Sequence, residues 1–141
     1  MPRIKKYRIP DPIYHSCLYL VISDHKDFED YIQKLDKEYI PIENHIPTMK
    51  LTSVHYKSKD GNIFTDSYLW MPKWEFCRDD LSSLVHEVSH FSIRIILSRG
   101  IDVTIDNNEP YCYYVEYIFH AILLKLENIY LKTSKREYED D

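Results

Sequence analysis

The sequence predicts an α+β domain: a small antiparallel sheet on one side of two packed helices, with a further helix from the first half of the chain. Three observations predict it. Residues 50–57 alternate polar and apolar, and residues 63–71 return after Asp60-Gly61, a hairpin signal. Apolar positions recur at helical spacing in residues 25–39, 81–100 and 109–131. The length, 141 residues, suits one domain around one core.

Residues 1–12 carry Pro2, Pro10 and Pro12 and read as an extended arm. Residues 13–23 are rich in β-branched and aromatic side chains and predict a strand. Asp24 is the expected N-cap of the first helix. That helix carries Phe28, Tyr31, Ile32, Leu35 and Tyr39 on its apolar side, and Pro41 closes it. Residues 40–50 form a loop. In the hairpin, Leu51, Ser53, His55 and Lys57 face one way, and Thr52, Val54 and Tyr56 the other. Pro72 ends the return strand.

The next helix lies within the stretch 81–100, with Asp79 or Asp80 as N-cap and Gly100 just past its end. Leu81, Leu84, Val85, Val88, Phe91 and Ile95 make its apolar face. Ile93 and Leu97 extend the side of His86 and His90, so a buried helix is expected, with both histidines looking into a cleft. Residues 101–108 connect, with a short extended piece at 103–105. The last helix carries Val115, Ile118, Phe119, Ile122, Leu123 and Leu126, and the tail from Thr133 to Asp141 is charged and frayed.

Composition narrows the function. The net charge of −5 argues against a nucleic acid backbone as the main partner. Arg3, Lys5, Lys6 and Arg8 make only a short basic arm, read as solvated. No apolar run approaches a membrane span, and the N-terminus lacks the apolar stretch of a signal peptide. Cys17, Cys77 and Cys112 form no C-x-x-C pair, which predicts reduced thiols and a cytoplasmic protein. Thirteen of the twenty aromatic residues are tyrosines, so the core is expected to have wet-edged rings rather than a dry aliphatic centre.

The chemistry-bearing stretch is His86-Glu87-Val88-Ser89-His90. Positions four apart share a helix face, so His86 and His90 can grip one metal ion. Glu87 stands beside the first histidine, within reach of a water on that metal. Two imidazole ligands and a carboxylate base are the zinc-hydrolase pattern, with Zn²⁺ as cofactor. A catalytic zinc needs a third protein ligand, for which Asp102, Asp106, Glu109, Glu116, His120 and Glu127 lie downstream. Glu109 fits best, at the start of the following helix after Asp106-Asn107-Asn108; Glu116 is the fallback. Glu109, Tyr113, Glu116 and His120 share one helical face. Tyr113 is a candidate oxyanion donor, Glu116 a candidate to orient a ligand histidine, and His120 reads as a buried, satisfied histidine. Pro110 disfavours the α region at Glu109, which would make Glu109 the N-cap. Cys112 reads as a small core residue, and Tyr111, Tyr113, Tyr114 and Tyr117 as packing. His15, His25, His45 and His55 read as surface or strand histidines.

Residues 86–118 resemble phage and prophage proteins in which an H-E-x-x-H helix and a short loop precede a helix opening on a glutamate in an E-x-x-A-Y-like run. Here that run is Glu109-Pro110-Tyr111-Cys112-Tyr113. Leu69-Trp70-Met71-Pro72 is similar to the strand such proteins place before the active-site helix. The arrangement is that of gluzincin-type zincins. The resemblance implies a zincin-like fold, His86, His90 and Glu109 as zinc ligands, Glu87 as base, and a protein or peptide as substrate, held by strand addition at the sheet edge. It covers the C-terminal half in detail and the first half only in element order. The alternative it leaves is a catalytically inactive protein on the same scaffold, a binder of host factors or a virion or assembly component.

Overall fold

A computed structural model describes residues 3–41 and 46–139, with side chains through Leu131 at the C-terminal end. Its elements are β1 (Lys5–Ile9), β2 (Cys17–Ile22), α1 (His25–Leu35), β3 (Lys50–Lys57), β4 (Ile63–Met71), α2 (Arg78–Ser98) and α3 (Glu109–Glu139). The α+β class matches the expectation, as does the order from β2 onward (strand, helix, hairpin, helix, helix), while β1 is an additional strand. His45, read as a surface or strand histidine, lies outside the described residues.

The sheet has four strands in the order β1-β2-β4-β3. It is mixed, not antiparallel: β2 runs parallel to β4, with Leu20 opposite Leu69, while β1–β2 and β3–β4 are antiparallel. The parallel pair arises because α1 carries the chain across the sheet before β3, which leaves the slot beside β2 for β4. The presumed arm is in part a strand. β1 pairs along its whole length with β2, Lys5 opposite Ile22 and Ile9 opposite Leu18. Its two prolines after Ile9 and its basic residues suit an edge.

Helices cover both faces of the sheet, so there are two cores rather than one. On one face, Leu18, Leu20, Leu69 and Met71 meet Leu84, Val88, Phe91 and Ile96 of α2 and Tyr114, Ile118, Ile122 and Leu126 of α3. On the other, Val21, Val54, Tyr68 and Trp70 meet Phe28 and Ile32 of α1. The strand alternation puts Thr52 and Val54 against α1, as the sequence pattern predicts. Several tyrosines keep polar contacts at the edges of these cores: the Tyr114 hydroxyl donates to Asp11 and the Tyr130 hydroxyl accepts from the Trp74 backbone.

Element ends differ from the sequence reading for local reasons. β2 begins at Cys17 because residues 11–16 wrap around the Asp11 carboxylate, which accepts the backbone N–H of Ile13, Tyr14 and Ser16. Asp24 is the N-cap of α1, but the helix stops at Leu35: Asp36 accepts the Glu38 N–H on its side chain and the Tyr39 N–H on its carbonyl. Tyr39 packs on the α1 core from outside the helix. The hairpin loop spans residues 58–62, with Gly61 at φ +84°. Cys77, not Asp79 or Asp80, caps α2; Asp80 sits in the first turn and accepts the Glu75 N–H at 2.8 Å. Residues 101–108 contain no strand. Thr104 and Asn107 exchange backbone hydrogen bonds there, and the Asn107 side chain donates to Asp102. The last helix continues to Glu139 rather than stopping near 131.

Candidate metal centre

α2 positions the histidines. The stripe Leu84, Val88, Phe91, Ser92 and Ile96 is buried, and positions 86 and 90 fall on roughly the opposite side of a helix with 3.6 residues per turn. His86 and His90 are therefore exposed. The histidine side is open rather than walled by apolar side chains: Leu97, read as extending a buried face, is 52% exposed, and Ile93 only half-buried. The apolar content of α2 is absorbed by α3 and the sheet on one stripe, which leaves the histidine side outward.

The two imidazoles converge. Nε2 of His86 and Nε2 of His90 are 3.1 Å apart, with ring centroids at 4.6 Å. Two nitrogens on one tetrahedral zinc, at bonds of about 2.0–2.1 Å, stand about 3.3 Å apart. The pair thus has the spacing of two ligands to one ion. Without an ion the same approach is a hydrogen bond, one imidazole donating and the other accepting.

Glu87 is half-buried. With His86, Ser82 and Ser83 it lines a shallow groove of about 370 Å³, closed on the other side by Pro47, Thr48 and Met49. Those three residues lead directly into β3, an edge strand. Arg94 ties α2 to that edge by donating to Ser53 Oγ at 2.5 Å. Arg94 continues the row of His86 and His90 at the same four-residue spacing, the one signal in the sequence that marks it.

The rest of the expected site does not assemble. Asn108 is the N-cap of α3, its carbonyl accepting the Cys112 N–H, so Glu109 is the first helical residue and not the cap. Pro110 fits the first turn because its missing N–H has no helical partner there in any case. The buried stripe of α3 is Tyr114, Ile118, Ile122 and Leu126. Glu109, Tyr113, Glu116 and His120 do share a face, but it is the one opposite that stripe. All four are exposed, Tyr113 by 66%. Among the described residues no group of three His, Cys, Asp or Glu side chains is placed to hold a metal. The histidine pair fits zinc, and neither Glu109 nor Glu116 joins it as a third ligand.

Other expectations on these helices also change. His120 is not buried; it lines a surface groove with Arg8 and Pro10. Cys112 is an exposed free thiol rather than a core residue, as is Cys77. Of the tyrosines read as packing, Tyr114 is the fully buried one. His25 is not a plain surface histidine: its Nε2 lies 2.9 Å from buried Glu29. Among the described residues no helix is long and apolar enough to cross a membrane. Compared with known protein families, curated proteins and solved structures, the chain matches none.

Proposed function

We propose that the chain is a zinc-dependent metallopeptidase-type hydrolase whose His86 and His90 hold the ion. The observation that carries this reading is the 3.1 Å approach of the two Nε2 atoms, with Glu87 beside them in a groove at the sheet edge. A zinc ion there supplies Lewis acidity toward a scissile carbonyl and acidifies a water. Glu87 takes the proton of the attacking water and passes it to the leaving amine. Pro47, Thr48 and Met49 of the groove run on in sequence into edge strand β3, and a sheet edge suits an extended peptide, so the substrate class is protein or peptide. On the family resemblance the third ligand is Glu109, with Glu116 as the alternative; both stand on the exposed face of α3. Tyr113, on the face of Glu109, is the oxyanion donor of this reading.

Replacing Glu87 with Gln tests it. Zinc-dependent cleavage of a quenched fluorescent peptide library should fall by about 10²-fold or more, with zinc content unchanged. Cleavage at the wild-type rate in Glu87→Gln would exclude Glu87 as the base.

The lack of a third ligand beside His86 and His90 among the described residues favours a second reading, a non-catalytic binding protein on the same scaffold. Its sign would be a host-factor binding or virion-assembly activity that survives Glu87→Gln.

A further inference from the structure

The last two turns of α2 roof a second cavity, distinct from the histidine groove, of about 490 Å³. That volume is in the range of small-molecule sites. Its floor is polar. Thr65 and Ser67 of β4 and His55 of β3 lie on the sheet face turned toward α2, since Leu69 and Met71, at alternating positions of the same strand, pack on that helix. Arg94 and Arg99 enter from the helix, and His15 from the turn before β2. Among the described residues no aspartate or glutamate lines the cavity, in a chain whose net charge is −5.

Both arginines are held in place with donors to spare. Arg94 gives one N–H to Ser53. Arg99 gives one to the Tyr14 carbonyl at 2.7 Å and one to Ser98 Oγ. A guanidinium has five N–H donors. The ion pairs among the described residues are His25–Glu29, Lys50–Glu29 and Lys73–Glu75, so neither arginine has an acidic partner there. The nearby Asp11 carboxylate is occupied by Ser16, Tyr114 and three backbone N–H groups. His55 uses Nδ1 on Thr65 at 2.8 Å and keeps Nε2 without a protein partner among the described residues.

We infer that this cavity binds a small phosphate monoester, its phosphate between Arg94 and Arg99 and its organic part against Ile63, Phe64 and Ile95. Two positive charges lining one cavity match a phosphate dianion better than a single carboxylate, and the guanidinium fork fits phosphate oxygens. Ser67, Thr65 and His55 supply further hydrogen-bonding groups. Ile63 and Phe64 are 72% and 58% exposed, apolar area that an organic body would cover. The inference does not rest on zinc at His86 and His90.

Phenyl phosphate is the probe, titrated into the full chain at fixed ionic strength and followed by calorimetry and by ¹H–¹⁵N spectra. The expected result is saturable binding with shifts centred on residues 55, 63–67 and 94–99. Arg94→Gln and Arg99→Gln should each weaken binding by about tenfold or more, as loss of a charge-assisted hydrogen bond does. Benzyl alcohol should not bind, and inorganic phosphate should bind more weakly. Absence of saturable binding overturns the inference, as do shifts centred elsewhere, undiminished binding in both variants, or benzoate binding as tightly as phenyl phosphate. The wild-type shift map decides the matter even if an arginine variant does not fold.

Discussion

The Asp11 carboxylate shows how one residue fastens distant parts of the chain. Its Oδ1 accepts the Ile13 and Tyr14 N–H groups, and its Oδ2 accepts the Ser16 N–H, the Ser16 hydroxyl and the Tyr114 hydroxyl. The turn before β2 is thereby tied to α3. Burial alone would raise the Asp11 pKa, but the hydrogen bonds from Ser16, Tyr114 and the backbone outweigh it and hold the carboxyl below its ordinary value of 3.8. Burial, and after it the bond to Asp11, raise the pKa of the Tyr114 hydroxyl. Because the folded carboxyl titrates below the unfolded one, the unfolded chain binds more protons in that window, and stability rises with pH through it. The contribution is complete above the ordinary value and lost as pH falls through the lowered one. Asp11→Asn should cost about 1–3 kcal/mol at neutral pH, where donors lose a charged acceptor. Denaturant titrations at several pH values should show the wild type and Asp11→Asn converging as pH falls below 3.8. A gap independent of pH would contradict this role.

At the scale of elements, the C-terminal end of α2 is specified locally. Gly100 stands at φ +77°; its N–H bonds the Leu97 carbonyl and the Ile101 N–H bonds the Ile96 carbonyl. This is the paired closure of a Schellman motif, with Ile101 packed on the same core as Ile96. A Cβ at Gly100 would meet no atom, so Gly100→Ala pays only for the left-handed backbone. Urea denaturation should show a loss of about 1–2 kcal/mol, and an unchanged midpoint would refute the cap. This end was legible from Gly100 alone, because the requirement is local. The hairpin was legible for the same reason. The edge strand β1 was not, since Pro10 and Pro12 mark only an extended chain and its pairing depends on β2. Nor was the parallel β2–β4 pair, because register between strands separated by α1 and β3 leaves no local trace.

The site divides along the same line. The His86–His90 spacing is local to one helix and survives in the geometry. The position of Glu109 depends on how α3 rolls against α2. Periodicity places Glu109 and Tyr113 on one face, but only the packing of Tyr114, Ile118 and Ile122 decides that this face turns outward. The cavity under Arg94 and Arg99 joins four elements and had no signature beyond the repeat of four from His90 to Arg94.

For the whole molecule, the sheet separates two cores that share its strands. Phe28 stacks on Trp70 at 5.8 Å in the α1 core, while Trp74 is buried in the other. Because each strand contributes alternate residues to both cores, loss of one should destabilise the other. Phe28→Ala should lower stability by about 3–5 kcal/mol. Tryptophan fluorescence in Trp70→Phe and Trp74→Phe forms of that variant should report one common midpoint. Two separated transitions would mean that α1 forms an independent layer.

Zinc content is the measurement that meets the central claim most directly. The chain purified without chelator and dialysed against zinc should carry about one ion, as the assignment of His86 and His90 to one metal predicts. Glu87→Gln should keep the ion and His86→Ala should lose it. A wild-type chain that leaves dialysis without zinc, or a His86→Ala chain that retains it, would contradict the assignment of His86 and His90 as metal ligands.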